Sequence, residues 1–167
     1  DLDSLMRVYS ESTGALDPQN GLIRLMASDS MSVVEERVRI LSMGFSPLLL
    51  STLCWIDEEG ECLSADEPVG RGALFLCERV TEDGECVPLA DEQPSLLANE
   101  ERSFIVLYRP QPEDRDAVAG QILIQNNGVE SPRYLLKVEA HPCASNSSNL
   151  CETAGGTEAG AEAGTEA

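Results

Sequence analysis

The side chains best suited to covalent or coordination chemistry are six cysteines, Cys54, Cys62, Cys77, Cys86, Cys143 and Cys151, and a single histidine, His141. The cysteines fall into three pairs with gaps of eight, nine and eight residues. An even number at short, similar gaps is the pattern of disulfides in an oxidising compartment. The simplest assignment is three local bridges, each stapling a hairpin or loop and contributing roughly 2–3 kcal/mol in the chain-entropy picture. Crossed pairing stays open between the first two pairs, because their segments echo each other. LCWIDEEGECLSADEP (53–68) and LCERVTEDGECVPLADEQP (76–94) each carry a leading Leu-Cys, an acidic turn with glycine and a second cysteine. Tetrahedral zinc is disfavoured, since the gaps are too long and one histidine is too few.

The acidic turns are the next candidates. Asp57, Glu58, Glu59 and Glu61 lie in the first, and Glu82, Asp83 and Glu85 in the second. Calcium favours several oxygens on a turning backbone, and it is the one cofactor these turns could take. Neither has the alternate-position oxygens of an EF-hand loop, so solvated turns are the simpler reading. Catalysis has little to work with. A Ser-His-acid arrangement would rest on His141 beside Pro142, and the chain has no G-x-S-x-G, no Gly-rich phosphate loop and no H-E-x-x-H. The chain is therefore read as a non-enzyme.

Charge narrows the partners. Thirty acids face eleven bases, a formal net charge of -19, and Lys137 is the sole lysine. Phosphate backbones and anionic lipid both need clustered positive charge, so neither nucleic acid nor a charged membrane surface fits. The longest apolar run, around Leu48, Leu49 and Leu50, is too short to span a bilayer. The first residue is Asp1, so a signal peptide or lipid anchor upstream of the chain start is compatible with the sequence.

The elements that must position these groups read as strands. Residues 20–142 hold about seven short alternating runs separated by turns, and no helix of ordinary length fits 20–140. NGLIRLM opens the series, followed by VVEERVRILS, PLLLSTLCWI and GALFLC. SFIVLYRP is apolar on both faces, which predicts a central strand covered on its outer side. GQILIQNNG and PRYLLKVEA predict a closing antiparallel hairpin around Asn127-Gly128. The expected core is Leu22, Val38, Ile40, Leu49, Leu53, Leu74, Leu76, Phe104, Val106, Tyr108, Ile122, Ile124, Leu136 and Val138. Residues 1–19 read as a leader or linker, with Leu2, Leu5 and Met6 able to form one helical turn. Residues 143–167 read as a disulfide loop followed by a disordered Gly/Ala/Thr/Glu tail. The predicted fold is all-β: an immunoglobulin-like sandwich with disulfide-stapled loops.

Four passages carry a resemblance. They are VVEERVRILSMGFSPLLLSTL with its Gly-x-x-Pro-Leu step, LLANEERSFIVLYRP ending in Tyr108 and Pro110, GQILIQNN, and SPRYLLKVEA. Together they resemble the immunoglobulin-like domains of the major-sperm-protein-like and Hydin-like group, in its bacterial "choice-of-anchor D" branch. The chain departs from that pattern where Ala98, Asn99 and Glu100 replace a Pro-Gly turn, and where Ala140 replaces a closing glycine. The resemblance implies an adaptor or envelope module and no catalytic or cofactor residues. The expected function is a structural or protein-binding module of the cell envelope, periplasm or extracellular surface, with a protein partner or self-association. The expected interaction surface is the apolar side of Ile105 and Leu107, together with Trp55. The rival expectation is a soluble extracellular protein that binds calcium or glycan, with the two acidic turns converging or Trp55 exposed as a sugar platform.

Overall fold

The computed structural model describes residues 3–27, 33–64, 66–90, 92–93, 95–111 and 116–142. Among them every regular element is a strand: β1 (Met6–Ser10), β2 (Gly14–Ala15), β3 (Asn20–Met26), β4 (Val34–Ser42), β5 (Leu48–Ile56), β6 (Leu74–Val80), β7 (Cys86–Pro88), β8 (Ser95–Leu96), β9 (Glu101–Tyr108), β10 (Val118–Asn126) and β11 (Arg133–His141). They make two sheets. One runs β2-β1-β4-β9-β6-β7 and the other β3-β11-β10-β5-β8. The inward faces share one core that includes Val38, Ile40, Leu53, Trp55, Phe104, Val106, Tyr108, Ile122, Ile124, Tyr134 and Leu136. This is a β-sandwich, with eleven strand segments rather than about seven. The surplus is β1, beyond the expected strands, and the two- and three-residue pieces β2, β7 and β8.

The reading of 1–19 as a leader is corrected. Met6, Val8 and Ser10 alternate inward on β1, which pairs antiparallel with β4 from Met6↔Ser42 to Ser10↔Val38. The expected helical turn therefore does not form at Met6. Five residues are too few for the alternation to stand out in the sequence, and one of the three inward positions is a serine. The closing segment 143–167, with Cys143 and Cys151, lies outside the described residues.

Two core assignments are also corrected. Leu22 is 37% exposed and Leu49 is 50% exposed. Alternation shows which residues share a face but not which face turns inward. On β3 the inward set is Gly21, Ile23 and Leu25, so Leu22 turns out. On β5, Leu48 and Leu50 point in on either side of Leu49. The closing hairpin forms as expected, with Ile122↔Leu136 and Ile124↔Tyr134 in register. Its connection is not a two-residue turn at Asn127-Gly128. It runs from Asn127 to Pro132 and is organised by Asn126, whose Nδ2 donates to the Ser131 carbonyl at 3.0 Å while its Oδ1 accepts from Gly128 N–H at 2.7 Å.

One ion pair braces the rim of the core. Arg102 on β9 donates to both oxygens of Glu78 on β6, at 2.7 and 2.8 Å, and its Nε donates to Gln93 Oε1 at 3.0 Å. Burial pushes the Glu78 carboxyl up, but the Arg102 guanidinium and the Ala90 N–H outweigh it and hold it below the usual glutamate range. A depressed folded value means stabilisation that is present above the unfolded value and is lost as pH falls through the folded one. Urea midpoints taken from pH 6 down to pH 3 should therefore drop more steeply for the wild type than for Glu78→Gln. Parallel slopes would remove this pair from the acid response.

Candidate protein-binding face

The two echoing segments fold into the same device. Each bridges locally, Cys54 to Cys62 and Cys77 to Cys86. In the first turn Asp57 N–H donates to the Glu61 carbonyl and Gly60 N–H to the Asp57 carbonyl, both at 2.9 Å. In the second, Thr81 and Gly84 repeat these bonds to Glu85 and Thr81 at 2.9 and 3.0 Å. The first side chain closes each turn: Asp57 Oδ1 accepts from Glu61 N–H at 2.9 Å, and Thr81 Oγ1 accepts from Glu85 N–H at 3.0 Å. Gly60 and Gly84 supply the left-handed backbone, with φ of 84° and 85°. The extra residue between Cys77 and Cys86 is accounted for by a bulge between Cys77 and Arg79, which contains Glu78.

The Asp57 carboxylate is thus spent on its own turn. Its hairpin belongs to the β5 sheet and the Thr81 hairpin to the other, and the described residues contain no group of three or more His, Cys, Asp or Glu side chains placed to hold a metal.

The expected interaction residues are all buried. Trp55 is 1% exposed, Ile105 6% and Leu107 0%. Ile105 and Leu107 do turn away from the main core. They pack with Cys77, Phe75, Val80 and Cys86 in a second apolar cluster. The stapled β6–β7 hairpin supplies that cover, and Arg109 reinforces it by laying its guanidinium 5.3 Å from the Phe75 ring centre and donating to the Gly84 carbonyl at 2.7 Å. Trp55 points inward, opposite Ile122 and against Gly120, so it offers no platform for a sugar. Tyr108 and Tyr134 are core residues as well.

What remains accessible is the outer face of the β3-β11-β10-β5-β8 sheet. Ile56, Gln121, Lys137 and Leu22 stand in register across four strands and form one outward row. At its β5 end, beside the Asp57 turn, the surface dips into an open depression of about 680 Å³ lined by Ile56, Asp57, Leu63, Gln121 and Lys137 among others. At its β3 end, Glu139 gathers three bases: Arg24 Nε at 3.2 Å, Lys137 Nζ at 3.9 Å and His141 Nε2 at 3.8 Å. Sequence reasoning weighed His141 as a ligand or a catalytic base beside Pro142. It missed this grouping, because Arg24 is brought to Glu139 by a parallel strand pairing that no local pattern announces.

No protein-family model matches the chain, and no curated protein does. Solved structures do. A protein of unknown function from Porphyromonas gingivalis W83 is 15% identical over 83% of this chain, with a TM-score of 0.51; this chain spans 47% of its length. The ASH/PapD-like domain 7 of human CEP192 is 11% identical, covering 81% of this chain and 84% of that domain, with a TM-score of 0.42. The N-terminal domain of PorA is 12% identical, covering 81% and 96%, with a TM-score of 0.40. The last two scores carry no argument, and the first establishes the fold alone: the chain is a β-sandwich, and its family is not shown by these likenesses.

Proposed function

We propose that this chain is a non-catalytic structural or protein-binding module working at the cell envelope or extracellular surface, as a member of the major-sperm-protein-like and Hydin-like group. Two stapled turns, held by disulfides that persist in oxidising compartments, support the location.

The observation that carries the binding role is an apolar end of the sandwich. Met43, Phe45, Leu49, Leu97 and Val129 are all exposed there, Phe45 by 74%. The turns that carry them are tied together. Asn127 donates to the Pro47 carbonyl from its side chain and to the Leu49 carbonyl from its backbone, Val129 N–H donates to the Ser4 carbonyl, and Asn99 N–H donates to the Ser42 carbonyl. Exposed apolar side chains are the material of an interaction surface, and this end carries five of them.

The test is native sizing joined to electron microscopy of the full chain across salt concentrations. Copies that each carry -19 repel, and salt screens that repulsion, so association through this end should strengthen as salt rises and be lost in Phe45→Glu. Filaments or ordered assemblies would identify a structural subunit. A monomer at every salt concentration would reject self-assembly and leave display of a binding surface to another protein.

A further inference from the structure

β3 begins its sheet, and among the described residues it pairs only with β11. Along an extended strand the N–H and C=O of successive residues point alternately to the two sides. Ala27 N–H donates to the His141 carbonyl at 3.1 Å, so Gly21, Ile23 and Leu25 also face β11. Leu22, Arg24 and Met26 then turn their N–H and C=O groups to the open side. Asn20 is closed off, because its N–H donates to Asp17 Oδ1 at 3.2 Å.

Edges like this are ordinarily guarded by shortness, proline, bulges or charge. The other terminal strands follow that rule: β2 and β8 have two residues each and β7 has three. β3 has seven, with no proline and an unbroken register, and its outward side chains Leu22 and Met26 are exposed.

Charge selects the occupant. Over the whole chain acids outnumber lysines and arginines thirty to eleven, yet beside this edge Arg24 and Lys137 share the carboxylate of Glu139. A second copy of β3 would bring another arginine and another -19 to the same place. We propose that the open edge of β3 is a strand-acceptor site for an extended acidic segment of another protein. The added strand presents a carboxylate toward Arg24, and its alternate apolar side chains continue the inward row of Ile23 and Leu25. This rests on the protein-binding reading but uses a different surface from the Phe45 end.

The probe is a labelled nonapeptide of alternating valine and threonine with a central glutamate, compared with the same peptide carrying a central lysine. Anisotropy with the full chain should show the glutamate peptide bound about ten-fold more tightly at low salt. The preference should fall as salt rises and reverse in Arg24→Glu. Hydrogen exchange should slow at Leu22, Arg24 and Met26 in the complex. Arg24→Pro removes an N–H that faces away from β11, so it should abolish binding while leaving the thermal midpoint near wild type. Equal affinity for the two peptides, no binding of either, or full binding by a folded Arg24→Pro variant would each overturn the proposal. So would a β3-mediated dimer that Arg24→Pro dissociates. Phe45→Glu should bind the peptide normally, which separates failure of this site from failure of the apolar end.

Discussion

Trp55→Ala lowers the unfolding free energy by about 3–5 kcal/mol, the cost of emptying a tryptophan-sized site in a packed core. For a domain of this size that is a fall of about 10 °C in the thermal midpoint. The ring lies in a close-fitting slot: a Cβ on Gly120 would come within 2.8 Å of its Cζ3 and within 2.8 Å of Val69. Backbone on β10 thus lies close against the ring, and it cannot collapse into the space the ring leaves. The indole Nε1 is buried without a hydrogen-bond partner among the described residues. Trp55→Phe removes that orphaned N–H while keeping most of the packing, so it should cost only about 1–2 kcal/mol. Urea unfolding of both variants checks the pair. A Trp55→Ala loss under about 0.5 kcal/mol, the size of a surface substitution, would return this residue to the surface role that its sequence position allowed.

Gly44→Ala is the second large effect, at about 3 kcal/mol. An added Cβ would sit 1.8 Å from the Asp3 carbonyl oxygen and 2.9 Å from Leu5 N. Both obstacles are backbone, so no rotamer change relieves them. The clash also falls where the N-terminal segment is pinned: Met43 N–H donates to the Leu5 carbonyl at 2.8 Å, and Ser4 Oγ donates to the Pro47 carbonyl at 2.6 Å. The expected result is a lowered midpoint together with new proteolytic cleavage inside the first ten residues, as β1 lifts from β4. Gly14→Ala is the contrast. It meets nothing within 4 Å and carries only the strain of its φ of 92°, about 1 kcal/mol. Equal stability of Gly44→Ala and wild type would show that residues 3–10 are not pinned against this turn.

How far the sequence could be read depended on the length and parity of each run. β9, β10 and β11 have eight or nine residues each, and their elements and faces were legible, as was the pairing of β10 with β11. β5 was legible as a strand but not in its facing. Gln125 pairs with Thr52 and Asn126 with Leu50, so Ser51 is skipped and the inward set passes from Leu48 and Leu50 to Leu53 and Trp55. No alternation rule carries across such a bulge. Local pairing of Cys54 with Cys62 and of Cys77 with Cys86 was the simplest reading, but crossed pairing stayed open, because the bonds that close each turn are not visible in the sequence. The candidate face was not. Its outward row takes one residue from each of four strands, and the cover over Ile105 and Leu107 needs β7, a three-residue strand too short to show an alternation. At the altered turn before β9, Asn99 takes the left-handed backbone, with φ of 71°, that asparagine tolerates better than most residues.

The parallel pairing of β3 with β11 also sets a schedule for synthesis. Arg24 and Glu139 are 115 residues apart. At about 5–20 residues per second, β3 leaves the ribosome roughly 6–23 seconds before its only sheet neighbour among the described residues exists. For that interval the apolar row of Ile23 and Leu25 has no β11 to lie against, and both edges of the strand are unpaired. The sheet that holds the candidate binding face is therefore completed last, and a nascent chain is open to strand pairing from either side before the mature protein is open from one.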